Sequence, residues 1–149
     1  MKPSVLLRVA SVLSFLYFLG HSAGFPWTPA DGPQATAVVE AMKRFQFEVV
    51  GRSRTYWDFY QGFGVTISVQ LLVQTLVLWH LGTVAKTDPA RVRPLVAVFA
   101  VAMLINAILA TRYFFPIPLI FAAAISVCLG IAFATARRAM SQHELKASN

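Results

Sequence analysis

Four apolar stretches, residues 5–24, 63–82, 95–111 and 116–136, run through a chain of only 149 residues. A helix that crosses a bilayer needs roughly 20 mostly apolar residues. The four stretches hold one ordinary charge, Arg8, close enough to an end to reach the interface. Lipid leaves backbone groups no outside partner, so only helices and closed barrels span it. These runs are continuous and do not alternate, which selects helices over barrel strands. The expected fold is therefore an all-α membrane protein, an antiparallel four-transmembrane-helix bundle in one domain, 1–149.

Composition narrows the function classes. The chain is 57% hydrophobic, too apolar for a soluble domain of this size. Its formal charge of +7 would suit nucleic acid. The basic residues, however, gather at the ends of apolar runs, where they act as orientation signals, so no nucleic-acid partner is expected. Cys128 is the single cysteine and lies inside the fourth run, which excludes an intrachain disulfide and a Cys-x-x-Cys redox pair. It is read as a small buried hydrophobe. Lys2 and Arg8 followed by an apolar run also resemble a signal peptide, but His21 fits a cleavage site poorly. A retained first helix is expected, with a cleaved leader over residues 1–23 as the alternative.

Lys2 and Arg8, then Lys86, Arg91 and Arg93, then Arg137, Arg138 and Lys146 all fall on one side of such a bundle. The rule that basic loops stay inside makes that side cytoplasmic, with both termini there. The expected bilayer is the cytoplasmic (inner) membrane. The long first loop then lies outside, its bases balanced by Asp31, Glu40, Glu48 and Asp58.

That loop has structure of its own. Residues 25–29 read as an extended exit segment, because residues before proline avoid helix. Asp31-Gly32-Pro33 reads as a helix start. Val38, Met42, Phe45 and Val49 recur at helical spacing among charged residues, predicting an extra amphipathic helix over 35–50. Glu40–Arg44 is its i,i+4 pair and Gly51 its stop. Thr55 and Asp58 have the spacing of a capping box at the head of the second span. Tyr56, Trp57 and Tyr60 suit a membrane interface. Residues 139–149 are expected as a short polar tail with frayed ends.

Polar residues inside the spans carry what functional signal there is. Asp58, Gly62, Thr66, Gln70 and Gln74 follow one i+4 row. Gly20 and Gly24, the row Ala102, Asn106 and Ala110, and the row Ala122, Ser126, Gly130 and Ala134 suit close helix packing. Tyr17, Gln70 and Asn106 match in depth, so an internal hydrogen-bonded layer, or a polar pocket for a head group or small solute, is expected there, with Gln70 and Asn106 bonded or sharing a cavity. His21, Arg54, Asp58 and Arg112 cluster near the outer interface with Trp57 and Tyr60. An ionised Asp58 paired with Arg54, Arg112 or His21 is expected, either stapling helix ends or, with His21, forming an acid–base pair. The histidines are too far apart in depth for haem, and no metal-ligand, phosphate-loop or nucleophile motif is present, so no metal or cofactor is expected.

The patterns Gly20-His21-x-x-Gly24, Met42-x-x-Phe45, Arg54-Thr55-Tyr56-Trp57-Asp58-Phe59-Tyr60-x-Gly62-Phe63-Gly64 and Arg112-Tyr113-Phe114 resemble a group of small bacterial four-helix integral membrane proteins of unknown function. The resemblance covers most of the chain. It implies the topology and no activity. The expected role is a non-enzymatic accessory or hydrophobic-ligand module. Its partners would be the lipid bilayer, a lipid or other hydrophobic small molecule, and a possible membrane-protein partner. The ligand-binding candidates are Tyr17, His21, Arg54, Trp57, Asp58, Tyr60, Gln70, Asn106 and Arg112. The alternative is an enzyme acting on a lipid or quinone at the outer leaflet through His21 and Asp58.

Overall fold

The computed structural model of the protein describes residues 2–24 and 30–147, with residues 137–147 as backbone. The expected extended segment 25–29 lies outside the described residues. The element order is α1 (Pro3–Gly24), α2 (Gly32–Arg44), β1 (Gln46–Val49), β2 (Arg52–Thr55), α3 (Tyr56–Val84), α4 (Pro89–Tyr113) and α5 (Pro116–Ala147). Helices α1, α3 and α4 and residues Pro116–Ala136 of α5 are long and apolar enough to cross a membrane, as their runs predicted. In α3, α4 and α5 only 22% of the most apolar window is buried within the protein. Leu76, Val98, Ile108 and Ile120 are among the exposed residues. An apolar outer face of this extent suits lipid rather than water.

Helix α3 starts at Tyr56, seven residues before its apolar run, because the capping box is made. Thr55 Oγ1 accepts from Asp58 N at 3.1 Å, and Asp58 Oδ2 accepts from Thr55 N at 2.8 Å. Asp88 caps α4 by accepting from Arg91 N at 3.0 Å. At its other end α5 runs on through Ala147 rather than fraying from residue 139. The stretch from Arg137 to Ala147 holds good helix formers and neither glycine nor proline, which accounts for the continuation.

The chain divides into two compact units, residues 1–17 with 71–149, and Phe18–Gln70. In the first, Leu6, Leu7, Leu78, Leu81, Val92, Val96, Ile125 and Leu129 belong to one buried cluster. Cys128 packs against that cluster. Ser126 Oγ donates to Ala100 O at 3.1 Å and Arg93 lies over Phe133, so α4 and α5 pack antiparallel. The small-residue row of α5 is only partly interior. Ala122 is buried, but Gly130 and Ala134 are exposed, and the buried stripe runs through Ile125, Leu129 and Ala132.

Helices α1 and α3 also pair antiparallel, through a polar seam. Ser11 Oγ donates to Thr75 O at 2.7 Å. Gln74 Nε2 donates to Ser14 Oγ at 2.8 Å and meets Met103 Sδ at 3.5 Å. Ser14 Oγ in turn donates to Ala10 O at 2.9 Å. Gly82 permits the close approach, since a Cβ there would meet Ser4 O at 3.3 Å. The amide bonded across helices is thus Gln74, not Gln70 with Asn106. Asn106 is exposed and its amide donates to Ala102 O of its own helix at 3.0 Å, and Gln70 is exposed. The depth match chose the level but not the face: Gln74 lies one turn on, where the helix turns inward.

The second unit corrects the sequence reading most. The helix predicted over 35–50 ends at Arg44, and Gln46–Val49 pairs antiparallel with Arg52–Thr55, Val49 opposite Arg52. Val50 and Gly51 form the two-residue turn with φ of 49° and 72°. Positive φ at both positions is the signature of a type I′ hairpin. Gln46-Phe47-Glu48-Val49 alternates polar and apolar, a period of two that Phe45 and Val49 masked by also standing four apart. The half-buried stripe of α2 is Ala35, Val39 and Met42, while Val38 is 60% exposed. The ion pair on α2 is Lys43–Glu40 at 3.1 Å rather than Glu40–Arg44.

The polar seam yields an asymmetric prediction. Gln74→Leu removes one interhelical bond and leaves Ser14 satisfied by Ala10 O, so it costs about 0.6 kcal/mol. Ser14→Ala leaves the buried Gln74 amide without its oxygen acceptor and costs about 1–3 kcal/mol. Unfolding in mixed micelles should show the serine variant as the less stable of the two.

Candidate functional site

The Phe18–Gln70 unit gathers most of the sequence candidates around the first four turns of α3. Within it, Phe45 stacks on Tyr56 at 5.6 Å between ring centroids. Phe47 packs on Tyr56 at 5.0 Å and on Phe59 at 5.6 Å, and Phe59 on Phe63 at 6.1 Å. These contacts hold the hairpin against the helix it leads into, each contributing on the order of 1 kcal/mol beyond burial.

A cleft of roughly 400 Å³ opens between the hairpin and the helix. Val49, Arg52 and Arg54 form the strand wall. Asp58, Gly62 and Thr66, with Phe59 and Phe63, form the helix wall. The i+4 row seen in the sequence therefore lines this cleft over its first three members. Arg52 and Arg54 share a strand face because they stand two apart. Gly62 leaves the floor open: a Cβ built there meets nothing within 4 Å. The side chains combine two cations, one acid and an aromatic floor, which suits an amphipathic molecule with an anionic head.

A second groove, of roughly 430 Å³, is lined by Val39 and Met42 of α2 with Trp57 and Tyr60 of α3. Trp57 and Tyr60 lie 5.4 Å apart, and Lys43 Nζ sits 5.3 Å above the Trp57 ring. Arg54 and Asp58 thus face one opening, and Trp57 and Tyr60 another. Rotation about the α3 axis divides what the sequence grouped as one cluster.

His21 and Asp58 have separate partners. His21 Nε2 lies 3.0 Å from Gly64 O. A carbonyl only accepts, so this nitrogen carries the hydrogen. Beside it Ser22 Oγ donates to Ser68 Oγ at 2.9 Å. Gly64 stands six residues beyond Asp58, roughly 9 Å along the helix axis. The carboxylate of Asp58 is engaged by Thr55 N. Among the described residues no ion pair joins Asp58 to Arg54, Arg112 or His21; of the three expected partners Arg54 acts on it, but only as a nearby charge. The capping box takes the carboxylate because its donor is local and already in place.

The remaining candidates belong to the other unit or point away. Tyr17 stacks on Phe121 at 5.2 Å with the rings 6° from parallel, and Arg112 is exposed at the end of α4. Among the described residues no group of three or more His, Cys, Asp or Glu side chains is placed to hold a metal ion. Sequence reasoning missed Val49, Arg52, Phe59 and Phe63 as wall residues. The period-two alternation of the hairpin would have found Val49 and Arg52; Phe59 and Phe63 stand four apart on α3, each next to a member of the row Asp58 and Gly62.

Val50 bears on the stability of the strand wall. It is β-branched, has positive φ and is 97% exposed. Such a residue is strained there, while asparagine tolerates the conformation and Asn-Gly is the preferred type I′ turn. Val50→Asn should stabilise the hairpin by about 1 kcal/mol. The check is amide exchange of residues 46–55, which should slow about fivefold. No family model, no curated protein and no solved structure matches this chain.

Proposed function

We propose that this protein is a non-enzymatic binding module of the bacterial cytoplasmic membrane that holds a lipid or other hydrophobic small molecule with an anionic head. Its four long helices would form an antiparallel transmembrane bundle with both termini cytoplasmic. The hairpin and α2 would then lie at the outer face. Basic residues on the Lys86–Arg93 side and the balanced charge of the long loop support that orientation.

The observation that carries the binding reading is the cleft between β2 and α3. It opens where an apolar helix begins, so a ligand can leave its chain among apolar side chains and present its head to Arg52 and Arg54. The arginines lie on a strand held by paired backbone bonds and aromatic packing, which orders the wall before any ligand arrives. The separate backbone commitments of His21 and Asp58 favour binding over acid–base chemistry.

Topology is checked by reporter fusions. Fusions after Asp88 and at the C-terminus should read cytoplasmic, and one at Asp31 should read outside. A C-terminus reading outside overturns the orientation.

Binding is checked with a photoactivatable fatty acid in neutral-detergent micelles. Cross-links should map to residues 49–66. Arg52→Gln and Arg54→Gln should each reduce labelling about fivefold. Gly62→Leu should abolish labelling with an unchanged or raised melting temperature, since it fills open space and improves helix propensity. Labelling spread evenly over all apolar helices, and unchanged by Gly62→Leu, overturns the reading.

A further inference from the structure

A second feature lies in the other unit and owes nothing to the cleft. Two arginines there lie over aromatic rings. The guanidinium carbon of Arg8 on α1 is 3.5 Å from the centroid of the Trp79 ring on α3. That of Arg93 on α4 is 4.5 Å from the Phe133 ring on α5. Arg8 meets Trp79 and Thr83 in the last turns of α3, and α4 begins five residues after α3 ends, so both cations lie at the same end of the unit.

A ring beneath a guanidinium occupies one of its faces and does not use up its N–H donors. Arg8 uses one donor, from Nη2 to Thr83 Oγ1 at 2.8 Å. Arg93 has its Nε removed from solvent with no acceptor among the described residues. Among the described residues no carboxylate is paired with Arg93. Among the described residues the only ion pair is on α2, and the nearby Asp88 is taken up by capping Arg91 N. Lys86 and Arg91 add further positive charge in the same turn region.

We infer that this end of the protein binds the phosphate of an anionic phospholipid, with Arg93 and Arg8 as the seating residues. A guanidinium edge presents paired N–H donors as a fork that matches two phosphate oxygens. The source is membrane lipid rather than free phosphate, because the flanking surface is apolar. Val5, Val9 and Val12 stand exposed along α1 beside Arg8, and Leu95 and Val98 along α4 beside Arg93. Acyl chains cover such a surface and water does not.

The test uses the whole protein in neutral detergent, with native mass spectrometry and thermal melting as paired readouts. The probes are phosphatidylglycerol, phosphatidylcholine and inorganic phosphate. Phosphatidylglycerol should be retained in preference to phosphatidylcholine and should raise the melting temperature. Inorganic phosphate at the same concentration should not. Arg93→Gln and Arg8→Gln should each weaken the phosphatidylglycerol response about fivefold. Should Arg93→Gln fail to fold, Arg93→Lys keeps the charge and removes the fork, and it too should lose part of the preference. Repeating the series with Arg52 and Arg54 both changed to Gln separates this site from the cleft, since the preference should survive there. Equal retention of the two lipids, a preference unchanged in every arginine variant, or a matching response to inorganic phosphate overturns the inference.

Discussion

An amide or carbonyl without a partner in hydrocarbon costs several kcal/mol, and the rest of this structure depends on that constraint. It forces each long apolar run into helix, where backbone groups satisfy one another. It also decides how the helices are joined. Lipid is as apolar as leucine, so burial alone gives membrane helices little reason to associate. Between α1 and α3 the contact is made instead by Ser11, Ser14, Gln74 and Thr75, each with a partner within about one helical turn or on the facing helix. Small residues make that seam reachable. Gly82 allows Ser4 O to come within 3.3 Å of where a Cβ would stand.

Where the chain leaves the apolar runs, the constraint relaxes and local chemistry takes over. The hairpin is short and mostly exposed, and an isolated two-stranded hairpin is only marginally stable in water. Here it is held by Phe45 and Phe47 against Tyr56 and Phe59, and by direct continuation through Thr55 into the capped start of α3. The cleft follows from this arrangement. A strand presents alternate residues and a helix presents every fourth, so Arg52 and Arg54 meet the row Asp58, Gly62 and Thr66 across one opening.

The two arginine sets differ in how they are prepared. Arg52 and Arg54 are exposed and placed by strand register. Arg8 and Arg93 lie over rings from neighbouring helices, which limit where each guanidinium can go. A ring-held guanidinium loses less rotamer freedom on binding an anion than a free one.

The sequence by itself determined the four long helices, because a run of some 20 apolar residues has one soluble answer to the backbone problem in lipid. It also determined the capping box of Thr55 and Asp58 and the i+4 row along α3, since both are local patterns whose geometry a helix supplies. It did not determine the hairpin. Val38, Met42, Phe45 and Val49 satisfy a helical period while Gln46–Val49 satisfies a strand period, and only pairing with Arg52–Thr55 and aromatic packing chose between them. Nor did it determine which polar side chains meet. Gln70 and Gln74 share one row, and the rotation of α3 against α1 put Gln74 on Ser14 and left Gln70 exposed. Partners of that kind are long-range facts. They depend on how two helices face each other, which no spacing along one helix encodes.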